Sequence, residues 1–228
     1  MGQIILFAAG FVLTTALALS CSSDSSSSGA GTCDANFRTE TIGTQTWMAE
    51  NLNCNVGGSK CYDNNPANCA KYGRLYDWST AMNIDKSYNS SSWSSWGGSD
   101  VKHRGICPSG WHIPNYDEWV VLRDYVGGYL TAGRYLKATS RWNSSFLCEV
   151  SCNGTDEYGF SALPGGHYSN NTNRFASVGD YGIYWSASEN NSYGNRAYIL
   201  EIRALENVGL GASNENKPDL NSVRCIQD

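Results

Sequence analysis

The chain opens on an uncharged, almost wholly apolar run from Ile4 to Leu19 and turns polar at Ser22. The run is shorter than the roughly 20 residues a helix needs to span a bilayer, and it has the length of the apolar part of an export signal. Residues 22–32, SSDSSSSGAGT, hold no apolar side chain larger than Ala. Such a segment cannot bury enough surface to offset its ordering entropy, so a flexible tether is expected. The pattern divides the chain into a leader (1–20), a tether beginning at Cys21 (21–32) and one domain (33–228).

Within the domain, Arg38 to Ile42 alternates polar and apolar, Gly43-Thr44 turns the chain, and Gln45 to Met48 returns. This predicts a β-hairpin. CYDNNPANC (61–69) predicts a small loop closed by its cysteines. Gly73 to Tyr76 suits a short strand, leading into a turn of helix from Trp78 to Met82. Residues 87–100 form a Ser/Gly-rich loop that carries Tyr88, Trp93 and Trp96. Asn115 is a good helix N-cap, and Glu118 three residues on makes a capping box. Trp119, Leu122 and Val126 recur at helical spacing until Gly127-Gly128 ends the helix. Thr131 to Ala138 predicts a second short helix.

The last third is β-like. FSALP, IYWSASE, RAYILEIRA and SVRCI are strand candidates between Gly/Asn-rich loops. Ala197, Ile199, Glu201 and Arg203 alternate against Tyr198, Leu200 and Ile202, the period of a half-buried strand. One or two helices followed by an antiparallel meander is an α+β pattern.

Composition adds an address. Residues 18–21, A-L-S-C, resemble a bacterial lipobox, in which Cys21 receives lipid and becomes the new N-terminus. An ordinary export signal cut nearby is the alternative. A lipid-anchored protein of the cell envelope, at the outer membrane or cell surface, is the expectation. The chain has nine Cys, and setting Cys21 aside leaves eight: Cys33, Cys54, Cys61, Cys69, Cys107, Cys148, Cys152 and Cys225. An even set behind an export signal reads as structural disulfides, with roughly a hundred connectivities open. The spacings C-x6-C, C-x7-C and C-x3-C, with three dispersed His, do not suit zinc. The formal charge is −5 and the basic residues are scattered, which argues against a nucleic-acid partner.

Six segments carry a family resemblance: TIGTQTWMAENLN (41–53), CYDNNPANCAKYGRLYDWSTAM (61–82), GICPSGWHIPNYDEW (105–119), GTDEYGFSALPGG (154–166), YWSASE (184–189) and SVRC (222–225). Together they resemble the FISUMP, or major paralogous domain, family of exported bacterial proteins. The resemblance brings no assigned activity. With the local spacings it implies the pairs Cys61–Cys69, Cys148–Cys152 and Cys107–Cys225, leaving Cys33–Cys54. The W-H-x-P-x-x-x-E-W segment and the terminal V-R-C also resemble the C-type-lectin-like fold, in which a helix near one Cys is stapled to the C-terminal strand. The calcium-site signatures of sugar-binding members, Glu-Pro-Asn and Trp-Asn-Asp, are absent.

Trp47, Trp78, Trp111, Trp119 and Trp185 lie in motif segments, where core packing is expected. Trp111-His112 reads as fixing a helix entry rather than as acid–base machinery. Trp93 and Trp96 sit in a polar loop, and an exposed aromatic face there could stack on a sugar ring. Tyr88, Tyr168, Tyr181 and Tyr193, with Asn190 and Asn191, suggest further polar-aromatic loop surface. Asp156 and Glu157, with Asn153, offer too few oxygens for calcium. As neighbours on a strand they would face opposite ways, unlike the facing carboxylates of a glycosidase. No Ser/His/Asp set, phosphate loop or HExxH motif occurs. The reading is a non-catalytic surface module without metal or cofactor, whose partner is an extracellular glycan such as plant-wall polysaccharide. A structural or protein-interaction domain of the envelope is the alternative.

Overall fold

The structure is a computed structural model that describes residues 33, 36–93, 102–145, 147–148, 151–190, 192–205, 208–209 and 214–228. Cys21, the leader and tether expected over 1–32, Trp96 and Asn191 lie outside the described residues.

The N-terminal hairpin forms as its alternation predicts. β1 (Thr39–Ile42) pairs antiparallel with β2 (Gln45–Met48), from Thr39 opposite Met48 to Ile42 opposite Gln45. Residues 61–69 hold more than a loop. After a 3-10 turn at Tyr62–Asn64, helix α1 runs over Pro66–Tyr72. Asn65 caps it by accepting from the Ala67 amide at 3.0 Å, and Pro66 occupies a first-turn position where no N–H is needed. Residues 73–76 make only isolated bridges, at Leu75 and Tyr76. Helix α2 (Trp78–Met82) follows, capped by Asp77.

β3 (Trp111–His112) leads into helix α3 (Tyr116–Tyr125). The capping box is present: Asn115 Oδ1 accepts from the Glu118 amide, and Glu118 Oε2 accepts from the Asn115 amide, both at 2.9 Å. His112, itself buried, is held between Glu118 Oε1 at 2.8 Å and Asp228 Oδ1 at 2.7 Å. It thereby fixes the entry of α3 against the segment after Ile226. α4 (Ala132–Leu136) is the second short helix.

Two small hairpin strands, β4 (His167–Ser169) and β5 (Arg174–Ala176), precede the two long strands β6 (Tyr181–Glu189) and β7 (Arg196–Arg203). β8 (Val208–Gly209) and β9 (Asn214–Asn216) both pair with the free edge of β7, at opposite ends of it. β10 (Ile226–Gln227) lies between β2 and β3, so the first sheet has the order β1-β2-β10-β3. A few short helices beside antiparallel sheets, with no strand–helix–parallel-strand repeat among the described residues, make the fold α+β.

Three β expectations are corrected. FSALP is not a strand: the Asp156 carboxylate takes the Ser161 amide at 2.6 Å and its hydroxyl, Ser161 has φ of +52°, and only Ala162 bridges to a neighbour. SVRCI is strand only at Ile226. Its earlier residues cross between sheets, Ser222 accepting from Trp185 N and Cys225 accepting from Met48 N, each at 3.1 Å. β7 is not half-buried. Ala197 and Ile199 pack into one apolar cluster, with Met48, Trp78, Trp185 and Val223. Leu200 and Ile202 pack into another, with Trp47, Trp119, Phe160 and Tyr184. One sheet thus walls two cores, and both of its faces are apolar for that reason.

Trp47, Trp78, Trp119 and Trp185 are fully buried, and Trp111 is half-buried against the Phe37 ring. Trp47 stacks on Trp119 with centroids 4.7 Å apart. The disulfides are Cys33–Cys54, Cys61–Cys69, Cys107–Cys225 and Cys148–Cys152. Cys107–Cys225 spans a sequence separation of 118. Closing a loop of that size is worth about 4–5 kcal/mol in the chain-entropy model.

Candidate functional site

At the end of the sheet where β6 stops and β7 starts, four loops converge. Their centre is the turn Asn216-Lys217-Pro218-Asp219 after β9, closed by the Asp219 amide donating to Asn216 O at 2.9 Å. Asp219 Oδ1 accepts from the Asn170 amide at 2.6 Å, which ties in the β4–β5 loop. Lys217 runs inward and is fully buried. Its Nζ donates to Ser91 O at 2.9 Å, to Gly194 O at 2.7 Å and to Glu189 Oε1, and it lies 4.3 Å from the Trp78 ring centroid. Glu189 Oε1 also accepts from the Trp93 amide at 2.8 Å. Loop 91–93 and loop 190–195 touch at Gly194, where a Cβ would stand 2.6 Å from Ser92 Oγ. A side chain at Gly194 would require the Ser92 hydroxyl to turn away.

Between these loops lies an open cleft of about 590 Å³. Its lining is Asn89, Ser90, Asn170, Asn171, Asn195, Arg196, Asn216, Pro218 and Asp219. Each amide side chain offers two donors and an acceptor, so the wall can meet hydroxyl groups in either sense. Arg196 donates to Asn214 Oδ1 at 3.1 Å. Burial, then the charges of Asp219 and Glu201, push the neighbouring Glu215 carboxyl up.

The aromatic residues singled out in the sequence are distributed unevenly around this site. Tyr193 is 61% exposed and faces the Arg196 guanidinium at 6.0 Å. Tyr88 and Tyr168 adjoin the cleft along the chain but are half-buried, Tyr88 on the Trp78 cluster and Tyr168 against Phe175 at 4.9 Å. Trp93 does not offer an open face: its ring is half-buried, with centroids 4.8 Å from His103 and 6.4 Å from Trp78. Tyr181 lies at the far end of β6 and faces Arg203 at 5.3 Å. Asn190 serves its own turn, accepting from the Ser192 amide at 2.9 Å. Asp156 is engaged by Ser161, and no group of three metal-ligating side chains occurs among the described residues.

Sequence reasoning missed Lys217, Glu189, Arg196, Asp219 and the asparagines of the cleft. The available signal was the asparagine density of the loops, which also has the ordinary meaning of turn chemistry. It also missed a second surface. Val121, Tyr125, Tyr129 and Leu130 are 47%, 57%, 56% and 74% exposed at the end of α3. The Tyr125 ring lies edge-on to Tyr158.

A family model described as the Fibrobacter succinogenes major domain matches residues 41–227. The chain belongs to this family. The match spans the first core, all of the second but Cys33 and Phe37, and every lining residue of the cleft. Three disulfides of this Fibrobacter succinogenes major domain fall inside the matched span, and Cys33–Cys54 joins its first part to Cys33 upstream. No curated protein and no solved structure matches the chain.

Proposed function

We propose that this protein is a non-catalytic, lipid-anchored module of the cell envelope that binds extracellular glycan in the asparagine-lined cleft. The observation that carries the reading is the lining itself: five amide side chains beside one guanidinium and one carboxylate, with the exposed Tyr193 ring facing that guanidinium. Amides and hydroxyls match the alternating donors and acceptors of a sugar, and an exposed tyrosine ring matches its apolar face. The fold is read more finely as C-type-lectin-like. Support comes from Cys107–Cys225, which staples the approach to α3 to the last strand. Anchoring through Cys21 rests on the A-L-S-C segment, and incorporation of a fatty-acid analogue that persists in Cys21→Ser would remove it.

The test is retention of the oxidised protein on insoluble cellulose, xylan and peptidoglycan, with and without calcium. Native protein is expected to bind one polymer, and Tyr193→Ala with Asn195→Ala to weaken it by about tenfold or more, or roughly 1.4 kcal/mol. Folded native protein that binds none of them would overturn the reading. A second reading, a protein-interaction domain, is favoured by the exposed Val121–Leu130 surface. It predicts an envelope partner whose association is lost in Leu130→Ser and kept in Tyr193→Ala.

A further inference from the structure

Beside the cleft lies a buried cation that is not part of its lining. Lys217 stands between two lining residues, Asn216 and Pro218, yet its own side chain points away from solvent and is wholly covered. An ammonium has three hydrogens, and three acceptors are present: Ser91 O, Gly194 O and Glu189 Oε1. No hydrogen is left for a ligand. Ser91 O and Gly194 O belong to the segments that supply Asn89-Ser90 and Asn195-Arg196 to the lining, and Glu189 is the last residue of β6. The turn that carries Lys217 supplies Asn216, Pro218 and Asp219 to the lining, and through Asp219 it also holds Asn170. Among the described residues no disulfide reaches any of these loops. The main-chain bonds that hold the turn to its neighbours are Lys217 N to Asn195 O at 3.0 Å and Trp78 N to Lys217 O at 2.9 Å.

We propose that Lys217, with Glu189 as its counter-charge, is the positioning residue of the cleft: it sets the spacing of the two loop walls and so the fit of the ligand. The proposal rests on the reading of the cleft as a glycan site only for its binding consequence. Its structural consequence stands separately. A buried pair of this kind adds little net stability compared with apolar or neutral residues of similar size, but it fixes one arrangement of the groups that surround it. A binding site held by such a support loses affinity when the support is removed, even though no ligand contact is deleted.

The experiment compares native protein with Lys217→Met/Glu189→Gln. The double variant leaves no unpaired charge, and the amide that replaces the Glu189 carboxylate retains a carbonyl oxygen for the Trp93 N–H. Amide hydrogen exchange is followed by residue. Exchange at Trp93, Tyr193 and Arg196 is expected to rise at least tenfold, while the amides of Trp185 and Ile199 in the sheet keep native protection. Retention on the polymer that the native protein binds is expected to fall at least tenfold, with a native-like thermal midpoint. Unchanged exchange at Trp93, Tyr193 and Arg196 would overturn the proposal, as would loosened loops with native retention. If protection is lost across the whole sheet, Glu189→Asp alone is read in the same way, since it keeps both charges and the two carbonyl acceptors of Lys217 while drawing the carboxylate back by one methylene. Should native protein bind no polymer, the glycan reading falls, and the exchange pattern alone decides the role of Lys217.

Discussion

The β6–β7 sheet carries a buried lysine at each end, and the two are held differently. At the cleft end Lys217 meets a carboxylate, Glu189, and two carbonyls. At the other end Lys137 donates to Ala204 O at 2.9 Å and Arg203 O at 3.4 Å, and lies 5.2 Å from the Trp142 ring centroid. No carboxylate is paired with Lys137 among the described residues. Burial pulls both ammonium groups down, Lys137 to about 8, while for Lys217 the Glu189 carboxylate works in the opposite direction. The comparison separates a cation locked by its counter-ion from one sustained by dipoles and an aromatic face. The first can serve as a fixed support. The second gives up its proton within an accessible pH range.

Breaking the first support should have the largest effect. Glu189→Gln removes the counter-charge from a buried ammonium, and loss of one partner from such a pair costs about 3–5 kcal/mol, measurable by urea unfolding. A loss under about 1 kcal/mol would mean that water already reaches the pair. The other end sharpens the contrast through pH. With a folded value near 8 against 10.5 in the unfolded chain, Lys137 holds its proton less tightly in the native state. Between these values the unfolded chain binds more protons, so this group's contribution to stability rises with pH and is complete above both. Urea unfolding of native protein and Lys137→Met from pH 7 to 10.5 should diverge with that slope, and parallel curves would refute it. The smallest effect is expected from Tyr193→Ala. Its ring is exposed, so stability should move by no more than about 0.5 kcal/mol while glycan retention falls.

What could be read from the sequence follows the range of the interactions. The β1–β2 hairpin and the Asn115–Glu118 capping box depend on residues a few positions apart, and both formed as their patterns indicate. The disulfide pairs agree with those implied by family resemblance. β7 was legible as a strand but not in its burial, because alternation of residue type cannot report a second core lying beyond the sheet. Helix α1 was hidden because Asn65-Pro66 reads equally as a turn or as a helix start. The cleft was hidden because its walls come from loops near residues 90, 170, 195 and 217, joined only in the folded chain. None of Tyr88, Tyr168 and Tyr193 is among its lining residues, and Tyr88 and Trp93 are both drawn into the Trp78 cluster by apolar burial that no loop composition discloses.

The place of β10 governs the order in which the domain can be assembled. Ile226 pairs with Trp47 on one side and His112 on the other, so the strands of the first sheet have no common neighbour until it arrives. Val223, Arg224 and Cys225, all fully buried, are delivered by the same segment. These residues follow in sequence everything they join. The N-terminal hairpin and β3 therefore wait with an open seam between them, and the first sheet closes as a late, long-range event in folding.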